Sequence, residues 1–400
     1  MIKNVLVFKH SDVCHDSLNC FSDIFIEKFA KRGIMVHTIS LMNTADEIVR
    51  KLSEVVSTVK LDAVISLNAG PELDYTASGE NLWDSLQVPF FNYIVDHPLE
   101  HNLELNSSCN NCHVICLDHH HAEFIRKYYG KVRSVSVLPL PGSGDTTVPV
   151  DELDEFCGRE YDVLITMGLL DPGSIKEKYK ELPGEYQPFA YDWTDYMEKH
   201  LDVSPELALR EMLDQKYGKD SIPDNLYYMI SAVGTITIPY IRTWVRKRIG
   251  EELIRSGIKI HLCGTGWESI LEKYPDNQVV LHGDVPMVDT PELYRKTKLA
   301  INVLPMFKNG THDRIATAQI NGATVLTDGN EFLRSLYKPG EIEYYDLAKP
   351  GSVADKIRKL LDEPQNLYET AIKGQAMARE KLSGEAAGEN LIKIIENVTG

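Results

Sequence analysis

The residues with most to offer chemically stand side by side late in the chain. Thr311, His312, Asp313 and Arg314 open an apolar, helical run within KNGTHDRIATAQINGATVLTD, residues 308–328. A strand, LAINVLPMF, precedes them, and Lys308, Asn309 and Gly310 form the loop between. Thr311 suits an N-cap, its hydroxyl accepting a helical N–H. An acid such as Asp313 suits the positive end of a helix, but a cation such as Arg314 does not. Arg314 makes sense there if an anion arrives. A guanidinium beside free backbone N–H groups is a cradle for phosphate.

Other strand ends carry glycine. Gly168, Gly264, Gly266 and Gly283 each follow an apolar run, where glycine lets backbone approach a phosphate or a sugar. Each alone also fits an ordinary strand-exit turn. SCNNCHVICLDHHH offers Cys109, Cys112 and Cys116 ahead of three histidines. No second C-x-x-C pair exists to complete a zinc set, and Cys116 falls inside a strand run. A buried strand cysteine is the simpler reading, so no metal is expected.

These residues need elements to hold them. From KNVLVFK onward the first third alternates short apolar runs with amphipathic helical ones, one of the latter opening after Thr44. EYDVLITMG, near Tyr161, starts a second such series. That alternation predicts parallel sheets covered on both faces. The expected class is α/β, with two Rossmann-like domains. We place them at 1–155 and 156–378, with a helical insert at about 185–256 and a C-terminal helix at 379–400. The join is expected near 150–159, which is polar and loop-like.

The chain has 400 residues and a formal charge of −17. Two domains suit that length. The acidic balance argues against general nucleic-acid binding. No apolar run is long enough for a membrane span. Met1 to Asn4 leads straight into the first strand, with nothing like a signal peptide, so a cytoplasmic protein is expected. There are seven cysteines, and disulfides are not the default in that setting.

The ordered motifs resemble those of GT-B glycosyltransferases, and more closely the CgeB-type glycosyltransferases. The resemblance covers most of the chain. It rests on Asp96-His97-Pro98, on Asp118 to His121, on Gly264-Thr265-Gly266-Trp267, and above all on the block from Gly310 to Asp328. It implies two domains facing a central cleft, the first for the acceptor and the second for a nucleotide sugar. It further implies metal-independent transfer from a nucleoside diphosphate sugar, most often UDP-linked in such folds, with no cofactor. The acceptor, whether glycan, protein or small molecule, is left open.

By this resemblance Gly310, Thr311, His312 and Arg314 stabilise the diphosphate, with Asn309 in their loop, while Gly168, Gly264 to Trp267 and Gly283 line the nucleotide side. In many retaining members two glutamates occupy the positions held here by Asn309 and Thr317. Asp313, or else Asp328, is then the candidate for the ribose hydroxyls. An inverting enzyme needs a base, and Asp96 and His97 are the candidates, with His10, Asp12 and His15 as competitors. Arg242, Arg246, Lys247 and Arg248 form a basic helical patch, either a solvated face or a source of one more diphosphate contact. A sugar-nucleotide epimerase or phosphorylase, or a non-catalytic binder, would use the same fold.

Overall fold

The structure is a computed structural model that describes residues 2–10, 15–70 and 79–400. The chain divides into two compact units, residues 1–143 with 286–288 and 379–400, and residues 144–285 with 289–378.

The first unit is a six-stranded sheet in the order β2-β1-β3-β4-β5-β6, parallel throughout. Its strands are β1 (Asn4–Lys9), β2 (Met35–Ser40), β3 (Ala63–Leu67), β4 (Phe90–Tyr93), β5 (Cys112–Cys116) and β6 (Ser134–Val137). β3, β4 and β5 are buried along their whole length, as strands with both faces covered must be. The helix α1 (Ser17–Lys31) follows β1, and α2 (Ala45–Thr58) follows β2. At α2 the Thr44 hydroxyl accepts the Glu47 N–H while the Glu47 carboxylate accepts the Thr44 N–H, a capping box.

The second unit is also six-stranded and parallel, in the order β12-β11-β10-β7-β8-β9. Here β7 is Tyr161–Thr166, β8 Ile260–Cys263, β9 Val279–Gly283, β10 Thr297–Asn302, β11 Thr324–Asp328 and β12 Glu343–Tyr345. Helices Gln187–Met197, Pro205–Tyr217, Asp224–Ser231 and α3 (Gly234–Arg255) lie between β7 and β8, and α4 (Asp313–Ile320) lies between β10 and β11. Among the described residues, no helix is long and apolar enough to cross a membrane.

Two boundaries differ from expectation. The first unit ends at 143, not 155, because residues 144–159 are fastened within the second. The Val150 N–H donates to Gln375 Oε1 at 3.1 Å, and Arg159 pairs with Asp151 at 2.7 Å while donating to the Thr297 and Gly322 carbonyls. The C-terminal helix α5 (Gly384–Thr399) belongs to the first unit. It packs on α1, where a Cβ on Gly388 would sit 2.4 Å from Lys28 Cγ. The Lys28 ammonium pairs with Glu389 at 2.6 Å and with Glu385.

Candidate functional site

Open parallel sheets bind ligands beyond the carboxyl ends of their strands, where the strand order reverses. In the second unit that point lies between β7 and β10, since the chain runs outward through β8 and β9 before crossing back.

The β7 and β8 exits are stapled backbone to backbone. The Leu169 N–H donates to the Thr265 carbonyl at 2.9 Å, and the Met167 N–H to the Cys263 carbonyl at 2.9 Å. Glycine is obligatory at two positions there. Gly264 has φ +130° and a Cβ would lie 2.4 Å from the Met167 oxygen; Gly266 has φ +87° and a Cβ would lie 1.9 Å from the Leu169 oxygen. Gly168 is different, being exposed, with nothing nearer than 3.9 Å to a Cβ. Gly283 ends β9 and its carbonyl accepts the Gly264 N–H at 2.7 Å. Thr265 is exposed between the two obligatory glycines.

Trp267 differs from expectation in its burial. Its ring is fully buried, its Nε1–H donates to the Met167 carbonyl at 2.9 Å, and it lies against Gly250 of α3. It braces the β7 exit from behind.

α3 meets the same exit. The Thr243 hydroxyl donates to the Leu170 carbonyl at 2.8 Å and accepts its N–H at 3.1 Å. One turn further on, Arg246 donates to the Gly168 carbonyl at 3.4 Å. The basic patch thus delivers one cation to the β7 edge.

The block from Gly310 to Asp328 is held by two side chains. Asn330, which the sequence did not single out, donates from Nδ2 to the Phe307 carbonyl at 2.9 Å and the Gly310 carbonyl at 2.8 Å. Its Oδ1 accepts the Leu333 N–H at 2.8 Å. Asp328 is 5% exposed, and its Oδ1 accepts the Leu304 N–H at 2.6 Å, tying the β10 exit to the end of β11. Burial pushes its carboxyl above the usual range, although Lys308 and the Leu304 N–H pull the other way. Asp328 thus fastens the β10 exit to β11.

Thr311 is a second correction. It is 1% exposed, and the N-cap of α4 is His312 instead, in extended conformation. Asp313, also buried, is ion-paired with His312 Nδ1. Burial alone would raise the Asp313 carboxyl, but His312 and then Arg314 outweigh it and hold it below the usual carboxylate range. Arg314 is half-buried in the first turn of α4. Nearby Tyr294, another residue the sequence reading missed, shares a hydrogen bond of 2.7 Å with Thr166, the last residue of β7. Burial lifts the Tyr294 hydroxyl to about 12, while its Thr166 partner and then Arg314 pull against that shift.

In the first unit the order reverses between β1 and β3. Asn68 exits β3 at φ +51°, a left-handed conformation that Asn tolerates better than most residues. Its Oδ1 accepts the Val95 N–H at 2.9 Å and its Nδ2 donates to Asp96 Oδ2 at 3.0 Å. Asp96 is half-buried. His97 departs from expectation. Its ring is 2% exposed, Nδ1 accepts the Leu99 N–H at 3.2 Å, and the His121 ring lies edge-on at 4.5 Å. It caps the turn Pro98–His101 from inside. His10 is half-buried and burial lowers its basicity, His15 is exposed, and Asp12 lies outside the described residues.

Cys116 is fully buried in β5, and burial pushes its thiol up to about 12. Cys109 is 1% exposed beside Asp84. Among the described residues, no group of three His, Cys, Asp or Glu side chains is arranged to hold a metal ion.

Residues 242–392 match a family described as glycosyl transferase-like. No curated protein sequence matches the chain. Solved structures share the whole fold. One is an α-glucosyltransferase in complex with UDP and a 13-mer DNA containing an HMU base, 11% identical, with 99% of this chain and 100% of that chain covered at TM-score 0.59. Another is Anabaena HepE in complex with UDP-glucose, 12% identical, with 98% and 99% covered at TM-score 0.54. AviGT4, a glycosyltransferase of avilamycin A biosynthesis, is 12% identical, with 100% and 98% covered at TM-score 0.51. The fold is GT-B, that of the glycosyltransferases, and the family match falls mainly on the second unit.

Proposed function

We propose that this glycosyltransferase, of CgeB-like type, moves a sugar from a UDP-linked donor to an acceptor hydroxyl without a metal or other cofactor. The observation that carries the reading is Arg314, half-buried in the first turn of the helix that follows β10 at the β7–β10 reversal. A cation at a helix N-terminus has no intrinsic reason to be there, and a diphosphate supplies one.

In this reading the acceptor oxygen attacks the anomeric carbon. The bond from that carbon to the diphosphate oxygen breaks, and its electron pair leaves with the diphosphate. Arg314, Arg246 and the backbone N–H groups around Gly310 and Gly168 take up the charge, a role that preorganised donors perform well. Thr265, Asn309 and His312 contact the nucleoside diphosphate, and Asp313 acts through His312, whose ring it holds. Asp96 takes the proton lost by the acceptor. The uridine assignment is supported by the UDP and UDP-glucose bound in the solved relatives. The acceptor is a glycan, a protein or a small molecule, and the setting is the cytoplasm.

A panel of UDP- and GDP-sugars, read by nucleotide release with and without acceptors, tests this. Acceptor-dependent release of UDP is the expected result. A rearranged sugar with no transfer would point to an epimerase. Failure to bind or turn over any donor would overturn the reading.

A further inference from the structure

We propose that Asn68 is a positioning residue that sets the Asp96 carboxylate for the acceptor hydroxyl. The proposal rests on the reading of Asp96 as proton acceptor. Asn68 leaves β3 at the reversal point of the first unit and binds the β4 exit three times. Its N–H donates to the Tyr93 carbonyl at 3.0 Å, its Oδ1 accepts the Val95 N–H at 2.9 Å, and its Nδ2 donates to Asp96 Oδ2 at 3.0 Å.

A residue used only for the turn would not need this side chain. Glycine accommodates φ +51° without strain, and Asp would satisfy the Val95 N–H equally well. Only an amide can cap Val95 with one atom and donate to a carboxylate with the other. The left-handed backbone aims both at once. Fixing a catalytic carboxylate through a neighbour is the ordinary means of keeping it in reacting geometry.

The test uses the full chain with the UDP-sugar and acceptor selected by the panel, and compares Asn68→Asp, Asn68→Gly and Asp96→Asn. Asn68→Asp keeps the Val95 cap and replaces the Asp96 donor with a second carboxylate. Asn68→Gly keeps the backbone conformation and removes both bonds. Both are expected to lose roughly 10- to 100-fold in kcat, with donor KM and melting temperature close to wild type. Wild-type kcat in both, with Asp96→Asn inactive, overturns the positioning role and leaves Asp96 in place. Wild-type kcat in Asp96→Asn overturns the reading beneath it. Parallel falls in kcat, donor affinity and melting temperature mark Asn68 as structural only and also overturn the proposal.

Discussion

Arg314 and Asp313 are neighbours with opposite duties. Arg314→Ala is expected to weaken donor binding about 10- to 100-fold, the range for a lost charge-assisted hydrogen bond, with unfolding unchanged. Titration of UDP by calorimetry reads this directly, and unaltered affinity removes Arg314 from the diphosphate. Asp313 is the structural partner. Its carboxyl is held below the ordinary value of 3.8 in the folded chain, so it contributes stability above that pH. The contribution fades as pH falls through the lowered folded value. Asp313→Asn is therefore expected to be less stable than wild type near neutrality, with the gap closing in acid below about pH 4. Denaturant unfolding across that range checks the sign. Arg314 was legible in the sequence because a cation at a helix start violates a local rule. The burial of His97 was not legible, because Asp-His-Pro reads the same whether the ring faces solvent or caps a turn from within.

At the level of elements, the β7 and β8 exits form one rigid piece. Gly266→Ala would press a methyl 1.9 Å from the Leu169 carbonyl at φ +87°, where backbone, not a side-chain tip, must give way. The expected cost is about 2–4 kcal/mol. Gly168→Ala, at a non-strained position with 3.9 Å of clearance, is expected to fold normally. Chemical denaturation separates the two, and equal stabilities would show that the staple is soft. Glycine after a strand was visible in the sequence at all four turns. Which were sterically forced was not, because the opposing atoms belong to a loop about a hundred residues away in the chain. The same holds for Trp267, whose indole donates to the Met167 carbonyl 100 residues earlier.

On the scale of the whole chain, the last helix returns to the first unit. Along α5, Leu391, Ile392 and Ile395 are buried, and on α1 so are Phe21, Phe25 and Phe29. Truncation after Ala378 uncovers α1 and removes the carboxylates that pair with Lys28, which is only 5% exposed. Uncovering apolar surface destabilises. Hydrogen exchange is expected to rise in α1 and β1 and to stay unchanged in β7, β10 and β11. Unchanged protection in α1 would mean that α5 adds nothing to it.

The sequence by itself determined the two parallel α/β units, the helical insert and the helix that opens in the block at Gly310 with a cation in its first turn. Each follows from local rules: apolar period, glycine and proline punctuation, and charge at a helix end. Only the tertiary structure decided where the first unit ends, because that depends on Gln375 and Arg159 reaching across the fold. It alone showed that Thr311, Trp267, Asp328 and His97 are buried, since burial is a property of packing and not of residue type. It also brought Asn68 to Asp96, a pair 28 residues apart that no spacing rule connects.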